Sequence, residues 1–180
     1  MKKFKTIDIV VVSLATALMC VCSWIQIPSA IPFTLQTFAV FFIALVLGAR
    51  KGLAATLIYI LLGIVGLPVF SGFQSGIGAL LGATGGFVMG FVLSVMIVGL
   101  SADRKGLSLP FVIIGLTVGL AVCYVTGTLW YAFVYGDGNI LGAMAVCVVP
   151  FIIPDIIKVI LALIIAKKVS PIIRKLSTER

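Results

Sequence analysis

Residues 148–168 read VVPFIIPDIIKVILALIIAKK, an apolar run that ends on two lysines. Inside it stand a carboxylate, Asp155, and an ammonium, Lys158, with Pro150 and Pro154 just ahead of them. An α-helix needs roughly 20 residues to cross the hydrocarbon of a bilayer, and the apolar run over 144–166 is of that length. The segment reads as a membrane-spanning helix that carries two charges. Counted back from Lys167 at about 1.5 Å per residue, Lys158 lies roughly 14 Å and Asp155 roughly 18 Å from the nearer boundary. A charge at the centre of a span costs on the order of 3 kcal/mol, so the pair needs a reason. Three residues apart on a helix, the two side chains share a face and partly neutralise each other. Pro154 suits the first turn of a helix, where a carboxylate is also favoured by the macrodipole. The sequence therefore predicts a break or bend at PFIIP, with Asp155 opening the inner half. Two roles fit the pair: an ion pair that fixes helix packing, or a polar group facing a cavity and holding a ligand. Ionisable residues inside a membrane mark functional sites by default, which favours the second.

The whole chain is as apolar as this segment. Of its 180 residues 62% are hydrophobic and 10% charged, with a mean hydropathy of +1.34. Soluble domains carry about a quarter charged residues to cover their surface, which this chain cannot do. Apolar runs lie at 7–24, 35–49, 52–66, 84–102, 109–133 and 144–166, separated by WIQIPSAIP, GARKG, a Gly-rich stretch, ADRKG and YGDGN. In lipid each backbone polar group must be satisfied inside its own segment, so helices are expected. The reading is an all-α bundle of six transmembrane helices in one domain, 1–180, with the first run a retained helix.

Charge orients the bundle. Lys2, Lys3 and Lys5 precede the first run, and Lys167, Lys168, Arg174, Lys175 and Arg180 follow the last. Arg50 and Lys51 fall in the connection between runs two and three, Arg104 and Lys105 between runs four and five. With six spans, twelve of the thirteen basic residues share one face, and the opposite loops at 25–34, 67–83 and 134–146 hold none. The positive-inside rule makes the crowded face, and both termini, cytoplasmic. The net charge of +8 reflects topology and contact with anionic lipid rather than nucleic-acid binding, because the charges hug short turns. Lys158 is the exception.

The opposite face carries an unusual loop. GLPVFSGFQSGIGALLGATGGF, 66–87, has seven glycines yet is apolar, and lies between helices three and four. A loop of this length is uncommon without a function, and an apolar one will not extend into water. It is expected to fold over the outer mouth of the bundle. Gly85 and Gly86 offer close backbone approach to a ligand at the start of the fourth helix. In the first outer loop Thr34, Gln36 and Thr37 supply uncharged donors and acceptors.

Enzymatic and pump chemistries lack their residues. There is no His, and Asp155 is the one carboxylate expected within the membrane, so neither a metal site nor a carboxylate pair is indicated. GxxxxGK[ST] is absent, so the chain does not hydrolyse ATP by that motif. Cys20, Cys22, Cys123 and Cys147 sit in or beside apolar runs and read as small packing residues.

Three segments together, PFTLQTFAVFFIALVLGARKG (32–52), GLPVFSGFQSGIGALLGATGGF (66–87) and PFIIPDIIK (150–158), resemble the signature segments of the BioY family. These are the biotin-specific substrate-binding (S) components of energy-coupling-factor (ECF) transporters in prokaryotic cell membranes. The likeness runs through essentially the whole chain. Two positions depart from it: GATGG at 82–86 has Ala83 where the family usually has proline, and the first helix offers Ser13 and Ala17 in place of an Ala-xxx-Ala docking pair. The resemblance implies biotin as transported ligand, no catalysis and no cofactor. It also implies a transmembrane coupling (T) subunit and two cytoplasmic ATPases as partners, although some members act with fewer. Asp155 would accept from a ureido N–H of biotin, and Lys158 would donate to the carbonyl or balance the aspartate. Gln36, Gln74 and Thr84 are then candidate polar contacts beside Gly85 and Gly86, while Trp130, Tyr131 and Phe73 would wall the ring system. Two alternatives stay open: an S component for another small vitamin, and a solo carrier driven by protonation of Asp155.

Overall fold

The computed structural model describes residues 5–105 and 108–178. In chain order it has α1 (Thr6–Trp24), β1 (Gln26–Ile27), β2 (Phe33–Thr34), α2 (Gln36–Ile64), α3 (Gly76–Leu81), α4 (Gly85–Lys105), α5 (Leu109–Trp130), α6 (Ile140–Cys147) and α7 (Ile152–Thr178). Short 3-10 turns lie at Ser71–Phe73 and Val149–Phe151, and a π-helical turn lies at Tyr131–Tyr135. Five helical stretches are long and apolar enough to cross a membrane: Thr6–Trp24, Gln36–Ile64, Gly85–Arg104, Leu109–Tyr135 and Ile140–Ile173.

The second of these is two antiparallel arms. At Gly48 the backbone takes φ 75° and ψ −178°, a conformation essentially reserved for glycine, and the chain turns back on itself. Two contacts require the reversal. Gln36 Nε2 donates to the Tyr59 hydroxyl at 2.8 Å across 23 residues, and a Cβ on Gly52 would lie 3.6 Å from the Ala44 Cα. A straight helix would hold the first pair about 34 Å apart. Asp103 at the end of α4 completes the corner, its Oδ2 accepting from the Ala49 N–H at 2.9 Å. The expected runs 35–49 and 52–66 are thus the two arms, with a connection shorter than GARKG. It is Gly48 alone, and Arg50 and Lys51 are already helical.

The arms of α2 form the centre of the bundle, packed against α1, α4 and α7, with α5 on the far side of α4. Lipid gives helices no hydrophobic reason to associate, so small residues and interhelical hydrogen bonds do the joining. Ser94 Oγ donates to the Gly119 carbonyl at 2.7 Å between α4 and α5, and Thr16 Oγ1 to the Ala55 carbonyl at 3.2 Å between α1 and α2. At one end of the bundle Lys51 pairs with Asp8 of α1 at 2.5 Å, beside the Asp103–Ala49 tie. The start of α1, the corner of α2 and the end of α4 therefore meet there, and Lys5, Arg50, Lys51 and Arg104 gather with them. Of the remaining basic residues in the charge pattern, Lys2, Lys3 and Arg180 lie outside the described residues. So do Gly106 of ADRKG and Leu107 after it, and nothing is described of the Lys105 and Arg174 side chains.

The opposite end is closed by connections. β1 and β2 form a small antiparallel hairpin, pairing Gln26 with Thr34 and Ile27 with Phe33. The hairpin is held down by Phe33, which stacks on Phe151 with centroids 4.2 Å apart. The Gly-rich segment between α2 and α4 is not a bare loop, since it contains a 3-10 turn and α3. It is pinned at its edges. Ser23 Oγ donates to the Val69 carbonyl at 2.5 Å, Trp24 Nε1 to that of Pro68 at 2.8 Å, and Trp130 Nε1 to that of Gly82 at 3.0 Å. Between these pins no residue of α3 is buried.

Candidate functional site

The last span breaks where two prolines precede the acid. Asn139 caps α6, its Oδ1 accepting from the Gly142 N–H at 3.0 Å, and the helix runs only to Cys147. The Val149–Phe151 turn follows, and α7 starts at Ile152, two residues before Pro154. A proline in the first turn sacrifices no intrahelical hydrogen bond, because those N–H groups have no partner within the helix. Asp155 therefore lies in the first turn of α7, at the positive end of its dipole.

Asp155 is 3% exposed, and each of its oxygens has a donor. Lys158 Nζ donates to Oδ1 at 2.9 Å and the Tyr124 hydroxyl of α5 donates to Oδ2 at 2.9 Å. Leaving a buried charge without a partner is what makes such groups expensive, and here neither charge is left so. The three side chains form part of the wall of a partly enclosed chamber of about 50 Å³. Its roof is Ile31 and Pro32 of the first loop with Ala79 and Leu80 of α3, and its apolar walls are Phe87, Phe91 and Phe151. Thr34, Gln36, Thr37, Tyr59, Ser71 and Thr84 add uncharged polar groups. Above it, on the far side of α3, lies an open cleft of about 690 Å³ that shares Pro32, Ser71, Ala79 and Thr84 with the chamber.

The structure brings together Asp155, Lys158, Gln36 and Thr84 around one space. Gln36 spends its amide on Tyr59, and Gln74 lies in the outer cleft. Gly85, Gly86 and Tyr131 are elsewhere. A Cβ on Gly85 would meet the Leu80 carbonyl, and one on Gly86 would meet the Trp130 side chain and the Thr126 carbonyl. These two glycines let α4 approach α5 and α3 closely. Tyr131 leans on the cluster of Ile31, Cys147 and Phe151. Trp130 anchors Gly82, and Phe73, 61% exposed, stacks on Trp24 at 5.3 Å. Sequence reasoning missed Tyr124, Tyr59 and the phenylalanine walls. A tyrosine inside an apolar span is a signal for Tyr124, but it does not say which face of α5 the hydroxyl serves.

Chemically, one turn of α7 presents a full acceptor and a full donor side by side at the wall of a largely apolar chamber. Such a wall suits a small neutral molecule that offers N–H donors next to a carbonyl. A ligand lacking either would leave a buried charge less well served. Among the described residues no three His, Cys, Asp or Glu side chains gather in a way that would hold a metal ion.

Comparison with known proteins agrees with this architecture. The model of the BioY family matches residues 1–175. The biotin transporter BioY of Thermotoga maritima is 41% identical over 166 residues, covering 92% of this chain and 94% of that protein. The probable biotin transporter BioY of Pyrococcus horikoshii is 37% identical, covering 91% and 96%. Biotin transporter BioY2 of Lactococcus lactis is 38% identical, covering 91% and 90%. A crystal structure of the S-component for biotin from an ECF-type ABC transporter shares the fold, with a TM-score of 0.81 over 89% of each chain at 22% identity. With a family model spanning nearly its full length and relatives above 35% identity on three sides, the chain belongs to the BioY family.

Proposed function

We propose that this protein is the biotin-binding S component of an ECF-type vitamin transporter in a prokaryotic cell membrane. The observation that carries the reading is the Tyr124–Asp155–Lys158 group at the chamber wall. Biotin's ureido ring offers two N–H donors and one carbonyl, which complement a carboxylate and an ammonium on adjacent helical positions. Its thioether bicycle is apolar and suits the phenylalanine walls. Thr84 and Gln36 are within the same chamber as further contacts, and Gln74 is a contact for a ligand on its way in. Gly85, Gly86 and Tyr131 support the site from behind rather than touching the ligand.

A chamber of about 50 Å³ holds a few water molecules, so a vitamin enters only if the chamber widens. Within 67–83 the part able to move is 74–81, because the ties lie at Pro68–Phe73 and at Gly82 and no residue of α3 is buried. Capture takes place on the chamber end, which the charge pattern makes the outer face, with both termini cytoplasmic. Ser13 and Ala17 stand on the exposed side of α1 and are the docking place for a coupling (T) subunit, which joins the S component to two cytoplasmic ATPases.

Equilibrium binding of labelled biotin to the purified chain tests the reading. Saturable binding, displaced by unlabelled biotin and not by a panel of other small vitamins, is expected. Displacement by another vitamin in preference to biotin overturns the ligand assignment. Uptake that survives ATP depletion and collapses with the proton gradient overturns the dependence on ATPases.

A further inference from the structure

The chamber and the cleft above it differ in charge chemistry. Among the described residues Lys158 is the only cation lining either space, and its ammonium is committed to Asp155 at 2.9 Å. The cleft is lined instead by hydroxyl and amide groups, among them Ser29, Ser75, Gln74 and Thr84. The connections at this end, 25–35, 65–84 and 131–139, contain no lysine or arginine, and their one charged residue is an acid, Asp137. The chamber that holds Asp155 and Lys158 meets this cleft at Pro32, Ser71, Ala79 and Thr84, the way open to the acyl tail of a ligand whose ureido group is seated on the pair. The carboxylate at the end of that tail then meets no positive charge.

Resting on the biotin reading above, we infer that the protein reads the head of its ligand by charge and the tail without it, and that the outer cleft accepts neutral amide conjugates of the tail. Carboxylate-reading sites place arginine or lysine against the carboxylate, and taking away one partner of such a buried pair costs about thirtyfold or more in affinity. Where no cation waits, turning the carboxylate into an amide breaks no ion pair, and hydroxyl and amide groups that both donate and accept can meet either form. An open space of about 690 Å³ leaves room for atoms attached beyond the amide.

The test compares biotin, its primary amide and its amide with the ε-amino group of lysine on the purified full-length chain. The primary amide is expected to bind within about fivefold of biotin. A larger loss, with biotin itself still bound, overturns the inference and leaves the biotin reading standing. A failure of biotin to bind removes that reading and this one with it. A second variant locates the tail. Gly78 lines the cleft but not the chamber, and a Cβ there meets nothing within 4 Å. Gly78→Trp places an indole against the cleft, and is expected to weaken the lysine conjugate at least about fivefold more than it weakens biotin. Equal effects on the two ligands overturn the cleft as the seat of the conjugate.

Discussion

Tyr124, Asp155 and Lys158 form a chain of donors and acceptors in which neither carboxylate oxygen stands alone. Their individual removal separates a binding role from a packing role. Asp155→Asn replaces one acceptor oxygen with a donor facing the ureido group. A hydrogen bond to a charged group contributes roughly 1.5–3 kcal/mol, so biotin affinity is expected to fall about ten- to a hundredfold, beyond any effect on thermal stability. Lys158→Met leaves the aspartate without its cation and should weaken binding too. Tyr124→Phe, which removes the donor to Oδ2, should cost about tenfold in affinity with the fold intact. If the pair only fixed packing, Asp155→Asn/Lys158→Met would regain the stability lost by each single change and bind biotin normally; that result would sink the assignment. Asp155 and Lys158 were legible because charges in an apolar run stand out singly. Tyr124 was not, because its role depends on which face of α5 meets the start of α7, and a nearly uniform apolar helix has no face to read. Gly85 and Gly86 misdirected attention for a related reason: close approach by a ligand and close approach by Trp130 need the same missing Cβ.

At the scale of elements, the prolines at 150 and 154 announced the break in the last span, and α7 begins between them. The corner in α2 was less legible. GARKG looks like a loop by composition, yet a single glycine at positive φ with a carboxylate from α4 is enough to reverse the chain. The short β1–β2 hairpin left no trace, since two-residue strands show no alternation to detect. The Gly-rich segment was foreseen as a cover, and its described form sharpens that expectation. α3 has no buried residue, and the ties of the segment lie on either side of it, at 68–73 and at 82. Elements with few buried contacts open first, so bound biotin should slow amide hydrogen exchange across 67–83 far more than across 99–105 at the other end of α4. Equal protection of both segments, or of neither, would remove the cover from the mechanism.

For the whole molecule, the proposed orientation rests on the basic residues gathered where α1 starts, α2 turns and α4 ends. In a background without the native cysteines, a cysteine at Ser75 is expected to react with an impermeant thiol reagent applied outside the cell, and one at Ser101 to stay unlabelled. The reverse pattern would invert the bundle and place the chamber on the cytoplasmic side. The corner at Gly48 also has a consequence for biogenesis. The corner lies at the basic end, cytoplasmic in the proposed orientation, and with one residue between them the two arms of α2 pack as a closed hairpin. The carboxylate that caps Ala49 lies 54 residues further along the chain. During synthesis the Lys51–Asp8 tie to α1 can therefore form first, and the Asp103 cap only after α4 has been made.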